Sequence, residues 1–155
     1  MAVKPIPDGY HTATPYLIVN DGAAAIEFYK KAFHATELLR LPGPGGKLMH
    51  AEVKIGDSPI MLADEFPEMG IVSPASLGGS PVSMLLYVED VDARFEQALA
   101  AGGKEKKPLQ DQFYGDRSGT LIDPFGHSWT IATHVEDVSH EEMERRFEEM
   151  MKQQG

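Results

Sequence analysis

Two stretches of this chain repeat one another at a fixed distance. Val19 matches Val88, Asp21 matches Asp90, Ala24 matches Ala93, Ala32 matches Ala101 and Ala63 matches Ala132, each pair being 69 residues apart with no gap. A shift shared by five markers points to an internal duplication, and a duplication limits the fold to two copies of one supersecondary unit.

The unit can be read from its first copy. Thr14 to Val19 is a short β-rich run that stops at Asn20-Asp21-Gly22, a turn signal. From Ala23 to Phe33, Ala25, Ile26, Phe28, Tyr29, Ala32 and Phe33 fall at helical spacing, with Asn20 or Asp21 as the cap. Extended segments follow at Thr36 to Leu41, Lys47 to Ile55 and Pro59 to Ala63. The order then restarts: a strand at Val82 to Val88, a helix at Val91 to Ala101 stopped by Gly102-Gly103, and strands at Lys104 to Pro108, Phe113 to Ile122 and Ser128 to Thr133. Ser139, with Glu142 three residues later, predicts a last helix whose apolar face is Met143, Phe147, Met150 and Met151.

The predicted architecture is α+β: tandem βαβββ modules forming a curved mixed sheet around a cavity, plus a C-terminal helix. One domain covers residues 1–155, with module 1 at about 10–65, a Gly- and Pro-rich linker at about 66–80, module 2 at about 81–135 and the helix at about 139–152. Two such modules curling around a shared concave face place a ligand cavity there.

Composition narrows the chemistry. With no cysteine, thiol nucleophiles, thiolate zinc sites and iron–sulfur clusters are excluded, and metal ligands are limited to His, Asp and Glu. A net charge of −10 gives no basic face for nucleic acid. No run approaches the ~20 apolar residues of a membrane span, and Met1 to Asp8 lacks the apolar core of a secretion signal, so a cytoplasmic protein without membrane partners is expected. No Ser-His-Asp arrangement, phosphate-binding glycine loop or dinucleotide fingerprint is present.

Several local strings carry a family resemblance. Asn20-Asp21 before a helix containing Phe28-Tyr29-Lys30-Lys31-Ala32-Phe33, and Asp123-Pro124-Phe125-Gly126-His127 before a final strand, resemble the vicinal oxygen chelate superfamily of glyoxalase I, bleomycin-resistance proteins, fosfomycin-resistance enzymes and extradiol dioxygenases. His50-Ala51-Glu52 with Ile55-Gly56-Asp57-Ser58, and Tyr114-Gly115-Asp116-Arg117, resemble its PhnB-like branch. In the metal-dependent relatives each repeat supplies two ligands, one from its first strand and one from its last. By this resemblance those positions fall on Thr14, Met61, Ser83 and Thr130. Three hydroxyls and a thioether do not replace imidazole and carboxylate for Zn, Ni, Mn or Fe, so no metal and no cofactor is expected.

Other polar residues complete the candidate site. His50 and Glu52, two apart on a strand, face one side and could act as an acid/base pair, a partial metal site or hydrogen-bonding groups. Tyr114, Tyr16 and Met61 would line the cavity, and Arg117 either pairs with Asp116 or Asp123 or meets an anionic ligand. Trp129, of opposite parity to Thr130, should pack beneath the helices, His127 should fix its turn, and His134 and His140 should be solvated. The resulting expectation is a homodimeric protein that binds a small aromatic or amphiphilic molecule without the usual metal ligands. The alternative is a metal-dependent glyoxalase-like lyase or isomerase using His50 and Glu52.

Overall fold

A computed structural model describes residues 2–155. The first module runs β1 (Tyr16–Val19), α1 (Gly22–Phe33), β2 (Thr36–Pro42), β3 (Leu48–Ile55) and β4 (Ser58–Asp64). After the short α2 (Pro74–Leu77), the second runs β5 (Ser83–Tyr87), α3 (Val91–Ala100), β6 (Lys104–Asp111), β7 (Asp116–Ile122) and β8 (Ser128–His134), followed by α4 (His140–Gln154). Each module forms its own four-stranded mixed sheet, ordered β1-β4-β3-β2 and β5-β8-β7-β6, with only β1·β4 and β5·β8 parallel.

The 69-residue offset holds in atomic detail. Tyr16 is paired with Met61, and Leu85 with Thr130, which are the same two positions one repeat later. Asp21 and Asp90 cap α1 and α3 identically, each side chain accepting the amide three residues on, from Ala24 and Ala93, at 3.1 Å.

Both sheets turn one face to the helices, and α1 packs against α3. The core between them gathers Tyr29, Phe33, Phe125 and Trp129, with the Phe33 and Trp129 ring centroids 4.7 Å apart. Asp123 is the polar centre of this layer. It accepts the Tyr29 hydroxyl at 2.7 Å, the Trp129 indole N–H at 2.8 Å and the Phe125 and His127 amides at 2.9 Å. Tyr29 lies in the first module and Asp123 in the second, so the contact joins them. Burial and the neighbouring carboxylate push the Tyr29 phenol well above its ordinary pKa, which keeps it a donor. His127 does more than fix its turn, because its Nε2 lies 2.9 Å from the carbonyl of Ile18 in the other module.

The expected linker is more ordered than its composition suggests. Glu65 accepts the Ser73 amide at 3.0 Å and the Ser76 hydroxyl at 2.8 Å, so its carboxylate ties down the start of α2. At α4 the expected capping box is half formed. Ser139 accepts the Glu142 amide at 3.1 Å, but the Glu142 carboxylate binds Arg145 and Arg146 instead of reaching back. Those two guanidinium groups lower its pKa to about 2. The α4 apolar face is largely uncovered; Phe147 meets Phe113 at 5.7 Å, and Arg146 donates to the Phe113 carbonyl.

Candidate functional site

Because strand side chains alternate, the sheet face away from the helices is set by the sequence. On the first sheet Leu17, Val19, Val53 and Leu62 point inward and are buried, which turns Tyr16, Glu52 and Met61 outward in one row across β1, β4 and β3. Leu39 and Leu41 of β2 extend that row as the register partners of Glu52 and His50. Leu39 and Leu41 are exposed, leaving apolar surface beside the polar groups.

Three of the expected site residues form a continuous hydrogen-bond chain on this face. The Tyr16 hydroxyl lies 2.8 Å from His50 Nδ1, and His50 Nε2 lies 2.8 Å from Glu52 Oε2. The carboxylate can only accept, so a neutral His50 carries its proton on Nε2 and takes the Tyr16 O–H on the bare Nδ1. Partial burial raises the Tyr16 pKa, and the phenol stays protonated. Met61, Tyr16's register partner, lies beside this chain.

The second sheet presents Ser83, Leu85 and Tyr87 of β5, Thr130 of β8, and Ser118 and Thr120 of β7 on its corresponding face. Thr120 and Thr130 share a hydrogen bond at 2.8 Å. At one end Asp116, nearly buried, accepts the Tyr87 hydroxyl at 2.7 Å and bonds His134 Nδ1 at 2.8 Å, while His134 Nε2 meets Asp137 at 2.8 Å. The bond to Asp116 raises the Tyr87 pKa, and the bonds to Asp116 and Asp137 raise that of His134.

The candidates therefore divide between the modules. Tyr16, His50, Glu52 and Met61 come together on the first sheet; Ser83 and Thr130 lie on the second. Thr14 precedes β1, two residues before Tyr16. Tyr114 sits in the β6–β7 turn, edge-on to Phe113 at 5.2 Å. Arg117 lies apart from the others. It points to the helix side of β7, where it pairs with Asp92 of α3 at 2.8 Å and with Asp111 at 3.4 Å, not with Asp116 or Asp123. Neither of the two expected carboxylates holds it. His134 is exposed as expected, and it also ends β8 within a carboxylate network. His140 is exposed as expected and pairs with Glu144 at 3.1 Å.

Sequence reading missed the Tyr87–Asp116–His134 cluster. Alternation from Ser83 would have placed Tyr87 on the open face, but nothing local showed that Asp116 and His134 are register partners across β7 and β8.

The metal positions implied by the family resemblance do not suit a metal. Thr14, Met61, Ser83 and Thr130 offer hydroxyl and thioether donors, which bind divalent ions poorly without anionic or imidazole partners. Both ring nitrogens of His50 are already engaged, and no group of three or more His, Asp or Glu among the described residues could hold a metal ion. Two concavities are prominent among the described residues. A cleft of about 1370 Å³ opens between the modules along Lys54, Asp57, Tyr87 and Arg94 and includes none of the nine expected site residues. A smaller one of about 260 Å³ is bounded by Tyr16, Ile18, Met84 and His127.

With the duplicated modules and their faces established, similarity to known proteins is informative. Residues 10–131 match the model of the Glyoxalase/Bleomycin resistance protein/Dioxygenase superfamily. The chain belongs to this superfamily. It is 48% identical over 134 residues to an uncharacterized protein of Mycobacterium tuberculosis, covering 84% of this chain and 79% of that one. The crystal structure of protein PA1353 from Pseudomonas aeruginosa is similar at a TM-score of 0.66 and 26% identity, over 81% of this chain and 99% of that chain. A PhnB protein from Bacillus cereus shares the fold at a TM-score of 0.60 and 21% identity, over 79% of this chain and 99% of that chain. The superfamily match and these neighbours agree with the α+β fold of tandem modules expected from the repeat. No described helix is long and apolar enough to cross a membrane.

Proposed function

We propose that this superfamily member, of the PhnB-like branch, binds a small aromatic or amphiphilic molecule against the open face of its first sheet, without the metal ligands of its catalytic relatives. One observation carries the reading. The four positions that would hold a metal are Thr14, Met61, Ser83 and Thr130, while the same faces keep hydrogen-bonding groups in an apolar surround of Leu39, Leu41 and Leu85. Such a surface suits a ligand with a flat apolar body and a few polar atoms.

The cavity is closed, in this proposal, by a second copy of the chain. Within one chain the helices join the modules, so the first sheet's open face does not meet the second sheet's. The outer edges of β1 and β5 are unpaired in their sheets. A two-fold axis would set the Tyr16 face of one protomer opposite the Ser83 and Thr130 face of its partner, with both sites equivalent. Exposed Leu39, Leu41, Leu85 and Tyr87 support that contact.

The test combines light scattering with metal analysis of the purified protein. A dimer without stoichiometric metal that binds an apolar fluorescent dye, and loses dye and dimer together on Leu85→Arg, is expected. A stoichiometric divalent ion that disappears in His50→Ala would overturn the reading in favour of a metal-dependent lyase or isomerase. A monomer at high concentration would overturn closure by a second copy.

A further inference from the structure

Tyr16, His50 and Glu52 do more than line a wall. The Tyr16 hydroxyl gives its hydrogen to His50, so the phenol oxygen turns only lone pairs toward the open side of the sheet. A ligand meeting Tyr16 there must bring a hydrogen-bond donor. Behind Tyr16 stands an imidazole able to take a proton, and behind that a carboxylate, its side chain only 14% exposed, able to balance the resulting charge.

We propose that this chain is a proton relay that selects ligands bearing a weakly acidic hydroxyl, a phenol or an enol, and holds them as their anions. The proposal rests on the first sheet's open face being a ligand wall. The transfer balances without any other reagent. The ligand O–H bond breaks as its proton passes to the Tyr16 oxygen, and the Tyr16 O–H proton passes to His50 Nδ1. The product is a ligand anion facing a neutral phenol, with an imidazolium beside the Glu52 carboxylate. No electrons change hands and the total charge of the complex is unchanged.

The selectivity follows from acid strength. An aliphatic alcohol is too weak an acid to give its proton to an imidazole. A carboxylic acid arrives already ionised, with no hydrogen for Tyr16 and with Glu52 to repel it. A phenol or enol titrates close enough to imidazole for the relay to decide its state. Leu39, Leu41 and Met61 are the register neighbours of these groups on β2 and β4, so the cross-strand neighbours add no charge. The next charged residue on this face of β3 is Lys54, one alternation beyond Glu52 and paired with Thr36 and Pro59.

4-Nitrophenol is a direct probe because its anion absorbs visibly and its neutral form does not; its methyl ether, 4-nitroanisole, has the same body with no acidic hydrogen. Bound to the intact protein, the phenol should titrate at least about one pH unit below its free value, a tenfold shift toward the anion. Calorimetry above the probe's own pKa, in buffers of different ionisation heat, should show uptake of about one proton per site. His50→Phe should abolish both signals, and Tyr16→Phe, which leaves His50–Glu52 intact, should do the same. An unshifted bound phenol, or a shift surviving in both variants, overturns the relay. If phenol and ether bind equally without a shift, the relay falls while the binding wall stands; if neither these probes nor an apolar dye binds, both fall.

Discussion

The Asp64 carboxylate accepts the amide of Gly22 at 2.7 Å, and one repeat later the Thr133 hydroxyl accepts the amide of Val91 at 2.9 Å. In both modules the last strand thus caps the first free N–H of the module's helix, which fixes the helix over its sheet. Asp64 does more, taking the Leu48 amide at 2.6 Å as well. It is buried, and removing it leaves two buried donors without partners. Asp64→Ala is expected to cost about 2–4 kcal/mol, and Thr133→Ala about 1–2 kcal/mol, since it orphans one half-buried amide. Urea unfolding of the two variants checks the order; equal losses would show that the second Asp64 bond contributes nothing.

Asp123 supports a prediction about coupling. Tyr29→Phe removes one of four donors and should cost about 1–2 kcal/mol, while Asp123→Ala strands the Tyr29, Trp129 and two amide donors and should cost several kcal/mol. In the double variant the Tyr29 hydroxyl is no longer there to be stranded, so the loss should be smaller than the sum. Additive losses in the double-mutant cycle would mean the bond joining the modules has no energetic weight.

The Asp123 network also shows how far the sequence could be read. Strand parity placed Trp129 beneath the helices, and the repeat gave both modules and the offset linking Met61 to Thr130. These are local or periodic properties. Arg117 could not be read this way. The partners expected for it were Asp116 and Asp123, but Asp116 alternates to the opposite face and Asp123 is filled by four donors, leaving Asp92, 25 residues away, and Asp111 as the partners. Likewise the Tyr16–His50 bond spans 34 residues, and only the pairing of β1 and β3 with β4 brings the two together. Sequence assigned faces; which residues meet across a face depended on register.

His34 is the one described non-glycine residue with a left-handed backbone, at φ 57°, where it ends α1. Its ring meets Gln97 of α3 at 3.1 Å in an exposed bond. A Cβ in this conformation costs about 1 kcal/mol relative to glycine. His34→Ala loses the bond and keeps that cost, whereas His34→Gly loses both. The glycine variant should therefore be more stable than the alanine variant by about 1 kcal/mol in thermal or urea unfolding. Equal stabilities would show that the backbone there relaxes when the ring is removed.

His134 gives the stability a pH dependence of known sign. Its bonds to Asp116 and then Asp137 raise its folded-state pKa above the ordinary imidazole value of 6.5. The folded state therefore holds the proton more tightly than the unfolded chain. Its contribution is fully present below the unfolded pKa and is lost as pH rises through the higher folded value. Exposure of the ring keeps the effect modest. Urea midpoints measured on either side of neutrality should fall toward alkaline pH, and His134→Gln, which keeps hydrogen-bonding capacity without titrating, should flatten that slope. A slope unchanged in the variant would assign the dependence to groups other than the Asp116–His134–Asp137 chain.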